Sequence, residues 1–195
     1  GRLPSQRTVY VSWEGGGSVG RVVLIQRDAA ATTVDLTGAA FDWQVAQSTP
    51  QSDCDGCAER TSTILFPPGV SAKVIADGEW VPVVDFGDVQ LTEFTVGEDG
   101  PARMPGDLPP NSGYTFAVDL AFSLGQEKVG GKDVLFVDDQ GESAVVYLYV
   151  DNFLGFPPGT VVPSGFYDKD RAQWLPEMEG MIIDFTGIEN GFAVL

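Results

Sequence analysis

Val9, Val11 and Trp13 alternate with Thr8, Tyr10 and Ser12 in the stretch RTVYVSW, a two-residue period that predicts a strand with one apolar face. Gly15, Gly16 and Gly17 follow, then SVGRVVLIQ, and this order predicts a hairpin returning through Val19 to Gln26. The same period recurs in TVDL, FDWQVA, TSTILF, VSAKVIA, VQLTEFTV, YTFAVDLAF, DVLFV and SAVVYLYV, each bounded by Gly, Pro, Asp or Asn. About a dozen short strands result. A helical period is nearly absent: RDAAATT is short and runs into β-branched residues, so it predicts one helical turn at most. Strands following strands with close turn signals predict an all-β fold, an antiparallel β-sandwich of short strands with long Pro/Gly loops and little or no helix.

Two stretches break the pattern. Residues 48–62, STPQSDCDGCAERTS, are small and polar, and mark either a linker or a long loop. Either one continuous unit carries this stretch as a loop insertion, or division there gives residues 1–59 as N-terminal strands or a small subdomain ending in an acidic CxxC loop, and residues 60–195 as the main sandwich module. Residues 97–113, GEDGPARMPGDLPPNSG, hold too much Pro and Gly for a central strand and predict an ordered crossing or a surface excursion. FPPG occurs at 66–69 and again at 156–159, which reads as turn chemistry, because Pro presets φ and Gly permits positive φ.

Composition places the chain among folded proteins: 195 residues, 43% apolar and only 20% charged. Charge narrows its company. With 28 Asp plus Glu against 11 Lys plus Arg, the formal net charge is −17, and no Lys/Arg cluster is available for phosphate backbones or anionic lipid. Nucleic acid is therefore excluded as a partner, and cations or cationic partners are favoured. The longest apolar run, SAVVYLYV, falls well short of the ~20 residues that span a bilayer, so no membrane insertion is expected. The chain starts with Gly1 and shows no basic, apolar leader, and so reads as an excised or processed segment.

Candidate chemistry is sparse. The two cysteines, Cys54 and Cys57, form a CxxC open to several readings: a redox pair, a zinc half-site, a local disulfide in an oxidising compartment, or a pair of reduced thiols. Zinc would need further ligands from a chain without His or other Cys. A disulfide closing so short a loop would remove little chain entropy. The absence of His also removes Ser-His-Asp and Cys-His nucleophile systems. Carboxylates remain, either as a hydrolase pair converging in a cleft or as calcium ligands. Asp53 and Asp55 have the alternating spacing that opens a calcium loop but lack its distal Glu, and Asp138, Asp139 and Glu142 offer a second acidic turn. Most other acids stand beside Gly or Pro at expected turns.

SGFYDKDRAQWLPEMEG, from residue 164, predicts a hairpin. A two-residue turn at Lys169 and Asp170 sets Asp168 opposite Arg171, Tyr167 opposite Ala172 and Gly165 opposite Trp174. Tyr167 and Trp174 then share a face as diagonal neighbours, with Gly165 leaving room for the indole. An exposed Asp168–Arg171 pair contributes ~0–1 kcal/mol and burial of Trp174 about 3 kcal/mol, so packing rather than charge holds the segment.

These residues carry a resemblance. LYVDNFLGFPPGTVVPSGFYDKDRAQWLPEMEGMI, with FTVGEDGPARMPGDLPPNSGYTFAVDL upstream, resembles a segment preceding the repeat region of large bacterial RHS or YD-repeat proteins, relatives of teneurins and insecticidal-toxin shells. It covers roughly residues 60–185 and rests on Pro68-Gly69, the MPGDLPP loop, and VPSGFYD followed by a Trp and an acidic-Gly turn. Glu179-Gly180 stands where the family more often has Asn-Gly or Asp-Gly, and Ser164 where a bulkier residue often precedes the hairpin glycine. The resemblance implies a noncatalytic structural module of a secreted or surface-displayed bacterial protein, contacting flanking domains or another protein. A calcium-dependent or carbohydrate-binding sandwich is the alternative, and a carboxylate hydrolase a third.

Overall fold

The computed structural model describes residues 1–53, 57–76, 78–94, 99–109, 113, 115–124, 127–130, 134–189 and 192–194. Its elements are almost entirely strands: β1 (Thr32–Asp35), β2 (Gln44–Gln47), β3 (Ser62–Phe66), β4 (Ser71–Ala76), β5 (Glu79–Pro82) and β6 (Phe86–Glu93) precede one helical turn, α1 (Gly100–Arg103). Then come β7 (Val118–Leu124), β8 (Glu127–Gly130), β9 (Val134–Val137) and β10 (Tyr147–Val150). Short pairs finish the chain: β11 (Val161–Val162), β12 (Gly165–Asp168), β13 (Gln173–Pro176), β14 (Gly180–Met181), β15 (Gly187–Glu189) and β16 (Phe192–Val194). The all-β class holds.

Three antiparallel sheets build the sandwich, in the orders β1-β6-β7-β8, β10-β3-β2 and β5-β4-β9. Two-residue alternation turns Val34, Ile64, Phe66, Ala72, Val89 and Leu91 inward to a common core with Leu36, Ala46, Val70 and Phe122. Phe136 of β9 closes it, with ring centroids 5.6 Å from Phe66 and 5.5 Å from Phe122. Strands from both sides of residue 59 share these sheets: β1 pairs with β6 and β2 with β3.

A second, smaller core of Leu3, Phe94 and Met104, with Ile25, Leu108, Ala117 and Trp174 packed against it, lies where the chain's beginning meets its last quarter. The hairpin expected between Val9 and Gln26 is not formed. Apart from the isolated Arg2–Gln26 bridge, this stretch has no strand pairing, and Tyr10 and Trp13 are more than nine-tenths exposed. The physical reason is that alternation makes a strand only where its apolar face finds a core. Here the backbone is satisfied elsewhere: Leu3 N–H donates to Ile25 O, Gln6 N–H to Pro105 O and Val23 N–H to Ala102 O. RDAAATT forms no helix, within the limit of one turn expected of it, whereas α1, inside the Pro/Gly-rich loop, was not foreseen. Pro101 in the first helical turn explains α1, because its missing N–H has no intrahelical partner to lose.

The β12–β13 hairpin forms in a different register. Tyr167 faces Trp174 directly, Gly165 faces Pro176 and Asp168 faces Gln173, leaving a four-residue connection instead of two. Asp168 decides this: its Oδ1 accepts the N–H groups of Asp170 and Arg171 and closes a turn over them. Ala172, at φ 52°, then returns the chain. Gly165 serves a different neighbour from the one expected, since a Cβ there would lie 2.6 Å from the Leu175 carbonyl oxygen.

Candidate functional site

The most heavily organised polar cluster surrounds a residue that the sequence reading passed over. Arg60 is the only Lys or Arg between Arg27 and Lys73. Reciprocal backbone hydrogen bonds with Gln51, both 2.9 Å, fix its main chain just ahead of β3. Its side chain is 1% exposed. Nε donates to Glu93 Oε1 at 2.7 Å, while Nη1 and Nη2 grip Asp53 as a fork at 3.0 and 2.9 Å. The Phe153 ring covers the guanidinium, its centroid 4.3 Å from Cζ. Loop 48–59, the end of β6 and the turn after β10 thus meet on one cation.

Burial sets the electrostatics. Desolvation pushes the Glu93 carboxyl above its usual range, and the hydrogen bond and charge of Arg60 only partly offset it. Burial alone would lower the Arg60 pKa, but the bonds to Asp53 and Glu93 and their charges outweigh it, so the guanidinium is held charged. Two carboxylates on one cation leave the cluster with an excess negative charge. Chemically it is a brace, with the guanidinium's fork already filled by carboxylate oxygens.

The acids singled out in the sequence are placed as follows. Asp53 is committed to Arg60, Cys57 is exposed on the same loop, and Cys54 and Asp55 lie outside the described residues, so the cysteine pairing remains the sequence's expectation. Asp138 caps the turn after β9, its Oδ1 accepting the N–H groups of Gln140 and Glu142, while Asp139 and Glu142 are exposed. Among the described residues, no three His, Cys, Asp or Glu side chains gather closely enough to hold a metal ion.

The hairpin belongs to a fastening of three distant segments. Tyr167 lies against Trp174, centroids 5.3 Å apart, and over Gly106 of the MPGDLPP loop, where a Cβ would come within 2.1 to 2.4 Å of the phenol ring. Asp107 accepts from Thr8 N–H at 3.0 Å and pairs with Arg7 at 3.5 Å, and Gln6 Nε2 donates to Lys169 O. Burial raises the Tyr167 pKa, with the charge of Asp107 adding to it. Arg171 pairs with Asp168 at 3.2 Å, across the turn rather than across the strands. The recess bordered by Pro4, Gln6, Pro105, Tyr167 and Lys169 has a volume of about 100 Å³, below the roughly 300 Å³ at which ligand pockets begin.

Large apolar side chains stand on the outside. Besides Tyr10 and Trp13, Phe41 is 95% and Val84 86% exposed. The outer face of β10-β3-β2 is a continuous example: the registers Val45↔Leu65↔Tyr147 and Gln47↔Thr63↔Tyr149 align these side chains, and Trp43 extends the row with its ring 6.0 Å from that of Tyr147. Among the described residues no helix is long and apolar enough to cross a membrane. The chain matches no family model, and no curated protein or solved structure is similar to it.

Proposed function

We propose that this chain is a noncatalytic interaction module of a large secreted or surface-displayed bacterial protein of the RHS type, packing its outer apolar residues against flanking domains or another protein. The carrying observation is the exposure of Tyr10, Trp13 and Phe41, each more than nine-tenths open to solvent in a folded chain. With them goes a contiguous outer row on β10-β3-β2, Trp43, Val45 and Tyr147, and a contiguous exposed apolar patch marks a contact surface. The carboxylates support the noncatalytic side, because buried Glu93 is committed to Arg60, Asp119 to Arg27 and Asp138 to its own turn. The RHS setting rests on the resemblance of residues 60–185, whose MPGDLPP and GFYD phrases meet at the Gly106–Tyr167 contact.

The test is fluorine NMR on 5-fluorotryptophan-labelled protein, reading the solvent isotope shift of Trp13 in this chain and in the longer polypeptide that carries it. Full exposure here and protection there is the expected result, and equal exposure in both overturns the reading. The tilted Trp43–Tyr147 pair beside Gln47 and Thr63 favours a second reading, an aromatic platform for sugar rings. Calorimetric titration with oligosaccharides that yields no heat removes it.

A further inference from the structure

β10 ends its sheet, and among the described residues no strand pairs with its outer edge. Asp151 N–H donates to Thr61 O on β10's side of β3, and Ser48 N–H to Ser62 O on the β2 side. Bonded and non-bonded pairs alternate along an antiparallel ladder. With Tyr149 opposite Thr63 and Tyr147 opposite Leu65, the two tyrosines bond to β3, while the N–H and C=O groups of Leu148 and Val150 point outward. Leu148 and Val150 turn their side chains to the same face as Ile64, yet remain 47% and 38% exposed. The core face therefore runs on past its last strand.

Within the three sandwich sheets the other end strands are guarded against pairing or partly covered. β5 carries Glu79 and Pro82, β1 ends in Asp35, β2 is bounded by Gln44 and Gln47, and the sequence of β8 holds Glu127 and Lys128. β9 is apolar but half-buried or buried. β10 has no charge, no proline and exposure at every position.

Charge names the occupant. No Lys or Arg occurs in residues 28–59, 61–72 or 134–168, which include all three strands of this sheet. The one cation beside them, Arg60, is buried and outnumbered by Asp53 and Glu93. Exposed Asp139, Glu142 and Asp151 bracket β10 along the chain. A second copy of this chain would bring the same anionic border against itself.

We propose that β10 takes up an extended basic polypeptide as an added strand. Its alternating apolar centre would lie beside Leu148 and Val150 on one face and Tyr147 and Tyr149 on the other, with Lys or Arg at its ends. This rests on the reading of the chain as an interaction module and names the chemistry of one partner.

The test uses a fluorescein-labelled synthetic peptide with a Val-Thr-Val-Thr-Val centre and paired lysines at both ends, titrated with the whole chain. Saturation below about 1 mM is expected, weakening with salt. At least tenfold loss is expected when Glu replaces the lysines, when alternate peptide amides are N-methylated, and on Leu148→Lys. Leu148→Pro removes only an outward N–H and should lose binding likewise, with circular dichroism confirming that both variants fold. No saturation, equal binding by the Glu-flanked or N-methylated peptide, or unchanged binding by both variants overturns the proposal. So does a dimer in sedimentation that Leu148→Lys abolishes while no peptide binds, since the occupant is then a second copy. A silent peptide with Trp13 still protected in the longer polypeptide overturns strand addition alone, whereas Trp13 exposed in both overturns the module reading beneath it.

Discussion

Replacing Arg60 by Met tests whether the buried brace holds the fold. The substitution keeps most of the side-chain volume but removes the donors to Glu93 and Asp53. Glu93, whose side chain is 3% exposed, is left as an uncompensated buried charge, while Asp53 at 31% can turn partly back to water. Loss of one partner from a buried pair costs about 3–5 kcal/mol, which for a chain of this length lowers Tm by roughly 6–20 °C. The double variant Arg60→Met with Glu93→Leu removes the stranded charge together with the cation. It should lie within about 1 kcal/mol of the wild type or above it, a coupling of about 3 kcal/mol between the sites. Urea unfolding followed by tryptophan fluorescence measures both, with an unchanged m-value required for the comparison. A single variant costing under about 1 kcal/mol, or a double variant whose loss is the sum of its parts, refutes the brace.

Three further outcomes follow from the same contacts. Glu93 has a raised pKa in the folded state, so it contributes stability that is present below the ordinary glutamate value of 4.5 and lost as pH rises through the folded value. The stability of wild type relative to Glu93→Gln should therefore grow as pH falls from 7 toward 4.5 in paired urea titrations, and a flat difference contradicts the burial argument. Gly106→Ala should cost about 1–3 kcal/mol by driving a methyl into the Tyr167 ring, yet be near neutral in a Tyr167→Ala background, which a double-mutant cycle reads directly. Ala172→Gly should stabilise the chain by about 0.5–1 kcal/mol by relieving the positive φ after the hairpin turn; a lower Tm would mean that the turn is not strained.

The strands that the sequence revealed are those whose alternation coincides with a core. TSTILF buries Ile64 and Phe66, and VQLTEFTV buries Val89 and Leu91, because each pattern meets another sheet across the sandwich. RTVYVSW has the same alternation and no opposing face, and pattern alone does not distinguish the two cases. The β12–β13 hairpin was legible as a unit and as the face shared by Tyr167 and Trp174, but its register depends on one carboxylate capping two amides, which a count of turn residues does not contain. The Arg60 cluster was hidden for another reason: Glu93 is 33 residues away and reaches it only through sheet topology. A lone cation in a long anionic stretch, just ahead of an apolar strand, was its one signal.

The contacts between the first residues and the last quarter of the chain carry a consequence for biosynthesis. Gln6 waits for a partner 163 positions downstream, and Leu3 shares its packing with Trp174. At translation speeds of roughly 5–20 residues per second, these two contacts wait about 8–30 s after the leading segment leaves the ribosome. The sandwich strands can assemble in that interval, so the β12–β13 hairpin closes over a segment already held to residues 102–107. A polypeptide stopped short of residue 169 would retain most of its sheets and the bonds of Gln6 and Val23 to residues 102–105, while the packing around Leu3 stayed open where Trp174 belongs.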